Sequence, residues 1–98
     1  MRISITGANG QLGRELQATL AMHTLSALSH AELDIADARA VKETIGTFRP
    51  DVVIHAAALT DTTRCEREPE AALQVNGVGS ENVARACVAS GAAMVSTL

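Results

Sequence analysis

The spacing of apolar and polar positions changes several times along this chain, and each change marks an element. Arg2-Ile3-Ser4-Ile5-Thr6 alternates polar and apolar with β-branched side chains, the period-two pattern of a strand. From Gln11 the period lengthens: Leu12, Leu16 and Leu20 recur every fourth residue and form one apolar stripe of a helix. Thr24 to Ser29, with Leu25, Ala27 and Leu28, reads as a second strand. Val41, Ile45 and Phe48 then make a second helical stripe, with Asp37 placed as its N-cap and Pro50 as its stop. Asp51-Val52-Val53-Ile54-His55 is a continuous apolar run, as in a strand covered on both faces.

The polar stretch "ALTDTTRCEREPE" reads as a loop, and Pro69 suits the first turn of a third helix, with Glu68 and Glu70 near the positive end of its dipole. Ala72, Val75, Gly79, Val83 and Ala86 mark that helix to about Ser90. Gly77 and Gly79 each cost about 1 kcal/mol of helix propensity relative to alanine, so they are predicted to permit close approach of a neighbour. Gly91 is placed as a C-terminal cap, and Ala92 to Ser96 begins a fourth strand. The resulting β-α-β-α-β-α-β order predicts a parallel sheet with right-handed crossovers. The fold class is therefore α/β, a Rossmann-like doubly wound sheet truncated to about four strands, with an expected order of 3-2-1-4.

Composition narrows the picture. Ninety-eight residues make one domain with a modest core, and no linker divides it. Aromatic residues are 1% of the chain, Phe48 alone, so packing falls to Ala, Val, Leu and Ile. A net charge of -3 offers no broad attraction to nucleic acid or an anionic membrane. Cys65 and Cys87 are too few and too far apart for a disulfide framework or a zinc site, which fits a reduced, cytoplasmic setting. The sequence contains no apolar stretch long enough for a signal peptide or a membrane span.

The chemistry begins at "SITGANGQLG", residues 4 to 13. Three glycines three apart join the first strand to the first helix, where backbone N–H groups and the helix dipole favour an anion. Gly7 would allow the tight turn, Gly10 the approach of a pyrophosphate, and Gly13 the packing of helix on strand. The spacing is G-x-x-G-x-x-G, which departs from the G-x-G-x-x-G dehydrogenase fingerprint and matches the short-chain dehydrogenase/reductase pattern.

"TGANGQLGREL", "LDIAD", "RPDVVIHAAALT" and "EREPEAALQVN" together resemble the dTDP-4-dehydrorhamnose reductase family, a branch of the extended short-chain reductases. The resemblance implies residues 1–98 as an N-terminal NAD(P)-binding half-domain, without the substrate domain. It implies Gly7, Asn9, Gly10, Gln11, Leu12 and Gly13 around the pyrophosphate, and Asp34 and Ile35 beside the adenine. Ala56, Ala57, Ala58 and Thr60 would line the ribose and nicotinamide side. At the end of the second strand a carboxylate would bind the ribose 2′-OH and repel a 2′-phosphate. Ser29 and His30 stand there instead, with no acid until Glu32, which favours NADP(H) over NAD(H).

No catalytic residue is assigned. His55 is expected to make structural hydrogen bonds, Asn76 to hold a backbone carbonyl near the cofactor, and Cys87 to fill core space. Members of the resembled family reduce a 4-keto sugar nucleotide with a Thr or Ser and a Tyr-x-x-x-Lys motif. This chain has no tyrosine, and its single lysine is Lys42. Ser96 and Thr97 resemble the family's serine-threonine pair only with a gap of about two residues. Leu59 and Thr63 depart from the family pattern in the loop after the third strand, leaving the sugar open. Two readings follow: the cofactor-binding portion of a longer sugar-nucleotide reductase, or a non-catalytic dinucleotide-binding or regulatory protein. An exposed fourth strand predicts strand exchange, aggregation or dimerisation, the last as a homodimer through the sheet edge.

Overall fold

A computed structural model describes residues 1–56 and 69–96, with side chains in the second stretch from residue 77 onward. Among the described residues, seven elements follow in the predicted order. They are β1 (Arg2–Thr6), α1 (Gln11–Thr19), β2 (Thr24–Leu28), α2 (Ala38–Phe48), β3 (Val52–His55), α3 (Pro69–Ser90) and β4 (Ala93–Ser96). All strand pairs are parallel.

The boundaries have local causes. Asp37 caps α2 as predicted, its carboxylate accepting from the Ala40 N–H at 3.1 Å. Arg49 ends that helix in the left-handed region at φ 54°, and Pro50 follows, buried. Gly91 closes α3 at φ 74°, which lets the Ala92 N–H bond the Cys87 carbonyl at 2.9 Å.

The fold class is the predicted one, but the strand order is 2-1-3-4 and not 3-2-1-4. β3 pairs with β1, so the chain leaving β2 crosses back over β1 instead of continuing outward. The physical reason lies in β2. Its Thr24 and Ser26 alternate with apolar residues, and every position keeps some exposure, as an edge strand requires. β1 is buried from Ile3 to Thr6, as a central strand must be. Right-handed crossovers then put α1 on one face and α2 with α3 on the other.

Alternation assigns the two faces. Val53, in register with Ser4, belongs to a core with Leu33, Ile35, Val41, Ile45, Val83, Ala86 and Cys87. Ser4 and Thr6 therefore look toward α2 and α3, while Ile3 and Ile5 are buried on the α1 side. Cys87 is a core residue as expected, and burial pushes its thiol pKa up.

At the N-terminal end of the sheet, Arg2 fastens β1 to α2. Its Nε and Nη2 donate to the Phe48 carbonyl at 3.0 and 2.7 Å, and its guanidinium lies 4.2 Å from the centre of the Phe48 ring. The functional groups gather at the opposite end.

Candidate functional site

The observed order reverses the winding direction between β1 and β3. Such a reversal opens a crevice at the carboxyl ends of the two strands, and in open α/β sheets that crevice is where ligands bind. A cleft of about 220 Å³ occupies this position, lined by Gly7, Gly10, Gln11, Leu12, Gly13, Glu15 and Ala56.

Each glycine of the turn meets a different local demand. Gly7 has φ 66°, where a side chain would be strained, and its carbonyl accepts from the Gly10 N–H at 3.1 Å. Gly10 is the N-cap of α1 and carries no side chain to cap it. The first-turn N–H groups of Gln11, Leu12 and Gly13 thus have no intrahelical acceptor and border the cleft. Gly13 is buried, and a Cβ there would fall on the Gly7 carbonyl oxygen and 2.7 Å from the Ala8 Cα. That crowding is what seats the helix N-terminus against the strand end. A compact anion at this cleft would meet N–H donors and the positive end of α1, which fits a pyrophosphate.

The glycine turn is also joined to β2. The Ala8 N–H donates to the Leu28 carbonyl at 3.1 Å, so the glycine turn is stitched to the strand end that carries Ser29 and His30. Asn9, exposed, stands at the apex of the turn without lining the cleft. Gln17, not anticipated, braces the turn by donating from Nε2 to the Ala8 carbonyl at 2.8 Å. Its signal was a polar residue one helical turn beyond Gly13.

Ser29 is not bare. Its backbone N–H and its Oγ both donate to Glu32 Oε1, at 3.2 and 2.9 Å. Glu32, four residues past the strand, therefore returns a carboxylate to the strand end. Glu15 is the acid that lines the cleft itself among the described residues, and the sequence pattern did not single it out.

Asp34 and Ile35 part company. Asp34 is exposed and its Oδ1 accepts from the Ala36 N–H at 3.0 Å, which sets the loop. Ile35 is buried in the core, and its carbonyl accepts from Asn82 Nδ2 at 2.9 Å. Its side chain supports the loop from beneath and does not line the cleft. Ala57, Ala58 and Thr60 lie outside the described residues, as do Leu59, Thr63, Cys65, Thr97 and the Asn76 side chain.

Below the cleft runs a buried polar chain. His55 is fully buried at the end of β3, with Nδ1 hydrogen-bonded to Thr6 Oγ1 at 2.7 Å and Nε2 to Ser80 Oγ at 3.0 Å. It ties the ends of β1 and β3 to α3, the structural role expected of it. Desolvation lowers its pKa from the ordinary 6.5 and favours the neutral ring. Ser96 is in register with His55 at the same end of the sheet. Among the described residues, no group of three or more His, Cys, Asp or Glu is placed to hold a metal ion, and no helix is long and apolar enough to cross a membrane.

Comparison with known proteins places this geometry. The family model described as the RmlD substrate binding domain matches residues 1–97. The dTDP-4-dehydrorhamnose reductase of Streptomyces griseus is 42% identical over 93 residues, which cover 93% of this chain and 31% of that protein. The dTDP-4-dehydrorhamnose reductase of Mycolicibacterium smegmatis is 45% identical over 96 residues, covering 96% of this chain and 29% of the relative. Among solved structures, the Bacillus anthracis dTDP-4-dehydrorhamnose reductase in complex with NADP superposes with a TM-score of 0.85 at 37% identity. That match covers 95% of this chain and 34% of the other. The chain thus spans about a third of the length of these relatives. With sequence and backbone agreeing from the glycine turn through β4, the chain belongs to the RmlD substrate binding domain family.

Proposed function

We propose that these residues form the cofactor-binding portion of an NAD(P)H-dependent sugar-nucleotide reductase acting on a 4-keto sugar. The observation that carries this is the cleft at the β1–β3 reversal, where Gly13 leaves no room for a Cβ and the uncapped N-terminus of α1 faces the opening. Gly7, Gly10, Gln11, Leu12 and Gly13 would hold the pyrophosphate, with Asn9 at the apex of the turn. Ser29 and His30 would border the adenosine ribose, and Asp34 the adenine. Ala56, with Ala57, Ala58 and Thr60 following it in sequence, would take the nicotinamide side. When bound, the reduced nicotinamide supplies hydride for a carbonyl carbon. This chain's contribution is to seat the diphosphate and fix the direction in which the nucleotide crosses the sheet.

Ser29 and His30 in place of an acid on β2 support NADPH over NADH within this reading. The NADP in the Bacillus anthracis relative supports the same direction. Because the relatives are dTDP-4-dehydrorhamnose reductases, a 4-keto sugar nucleotide is the proposed substrate of a protein that carries this portion. A cytoplasmic setting belongs to the same proposal. So does self-association along β4, a sheet-edge strand on which Val95 is 49% exposed. The non-catalytic reading would be favoured by a longer protein that contains this chain and lacks a Tyr-x-x-x-Lys motif.

Titration of this chain with NADPH and NADH, followed by nicotinamide fluorescence and thermal shift, is the test. Saturable binding that is lost in Gly13→Val supports the assignment. Binding of neither nucleotide, or binding indifferent to Gly13, overturns it. Hydride transfer to a 4-keto sugar nucleotide by a longer protein containing this chain separates the reductase from the non-catalytic reading.

A further inference from the structure

We infer that Glu32 is a specificity-determining residue, an internal anion that occupies the place of a cofactor's 2′-phosphate and so restrains the preference for NADPH. This rests on the dinucleotide reading above and adds a residue to it.

Ser29 follows directly on β2, whose last carbonyl, that of Leu28, accepts from Ala8 of the glycine turn. In a doubly wound dinucleotide fold the group about 20 residues beyond the glycines is the one that meets the ribose 2′ position. At this position Ser29 points two donors, its backbone N–H and its hydroxyl, at a single oxygen. The same two donors can serve one oxygen of a phosphate through charge-assisted hydrogen bonds. Here the oxygen is Oε1 of Glu32. The loop holds the carboxylate close to the strand end, since the Glu32 and Leu33 N–H groups both donate to the Ser29 carbonyl, at 3.1 and 2.9 Å.

The two cofactors would meet this arrangement differently. A ribose 2′-OH can donate to the free lone pairs of the carboxylate while Ser29 keeps its bonds. A 2′-phosphate needs the same donors that Glu32 holds, and it brings like charge against the carboxylate. NADPH therefore has to displace Glu32 before it gains Ser29, whereas NADH does not. The absence of an acid on β2 is offset by an acid that folds back onto it.

The experiment compares wild type with Glu32→Gln and Glu32→Lys, titrating NADPH, NADH, adenosine 2′,5′-bisphosphate and AMP. Glu32 is exposed, so both variants are expected to fold, and thermal unfolding checks this. In Glu32→Gln the affinity for NADPH relative to NADH should rise about fivefold, the scale of an exposed charge interaction. Adenosine 2′,5′-bisphosphate should gain over AMP by a similar factor, and Glu32→Lys should exceed both gains. A ratio unchanged in both variants, or NADPH and NADH shifting together, overturns the role of Glu32 and leaves the dinucleotide site standing. Binding of none of the four by the wild type overturns the dinucleotide reading and this inference with it.

Discussion

On the α2–α3 side of the sheet, attachment is made by side chains: Val41, Ile45, Val53 and Val83 are all fully buried and meet across the layer. On the α1 side Ile3 and Ile5 of β1 are buried, but α1 itself brings little buried side chain to them. Within α1 only Gly13 is buried, and its lack of a side chain is what lets the helix end meet the strand end. The leucines predicted as the α1 stripe, Leu12, Leu16 and Leu20, are only half-buried. One face thus gains stability from apolar area, and the other gives up that area to bring N–H groups to a cleft. Stability and ligand recognition are therefore expected to respond separately to substitution.

The largest expected effect lies on the side-chain face. Ile45→Ala should lower stability by about 2–5 kcal/mol through lost burial and the cavity left behind. Because Ile45 is remote from the cleft, dinucleotide affinity measured well below the melting transition should stay within about twofold of wild type. Gly13→Ala reverses the pattern. Its new Cβ meets the Gly7 and Ala8 backbone, which cannot rotate away, so α1 must lift from the turn. We expect a stability loss of about 1–3 kcal/mol from overpacking, together with at least a tenfold loss of affinity. Chemical denaturation paired with titration checks both. Equal affinity losses in the two variants would erase the distinction between the faces.

His55 is buried on the α2–α3 side, bonded to Thr6 and Ser80, so its titration should register mainly as stability. The folded pKa is lowered by burial, so the unfolded chain binds a proton first as pH falls. The stabilisation is complete above about pH 6.5 and is lost as pH drops below it, with a slope of up to about 1.4 kcal/mol per pH unit. The loss levels off below the folded pKa. In His55→Asn the slope attributable to this group should disappear, as measured by denaturant unfolding at a series of pH values.

What could be read in the sequence follows the same division. The glycine turn was legible because its demands are local: a positive φ at Gly7, an uncapped Gly10 and a crowded Gly13 leave their mark in residue type and spacing. The elements and the Asp37 cap were legible for the same reason. The strand order was not, since alternation of strands and helices does not say whether a crossover continues outward or turns back. The polar alternation in β2 was the available sign of an edge strand. Ile35 was placed beside the adenine by its motif, whereas its side chain is core, because burial depends on α3 arriving from nearly fifty residues away. Glu32 is the first acid after β2 in sequence, and only the fold of its loop brings the carboxylate back to Ser29.

The smallest effects test whether the side-chain face is free of the backbone strategy, and Gly77 and Gly79 in α3 separate the cases. Both were predicted to permit close approach. At Gly79 this holds: a Cβ there would lie 2.6 Å from Ile35 Cγ1 and nearer still to its Cδ1. At Gly77 a Cβ would meet none of the described residues within 4 Å, so there the glycine is expected only to weaken the helix. Gly77→Ala should therefore raise stability by about 0.5–1 kcal/mol, through helix propensity and a less flexible unfolded chain. Gly79→Ala gains the same propensity but must push Ile35 aside in a packed core. The overlap costs about 1–3 kcal/mol, so the net change should be a loss of about 1 kcal/mol. Opposite signs two residues apart, seen in paired thermal melts, would mean that the core face too depends on a missing side chain at one point. That point is where Ile35 holds up the loop carrying Asp34 and Glu32, so the packing of α3 reaches the cleft through it. A gain in both variants would instead leave Ile35 free to yield, and the two faces of the sheet independent.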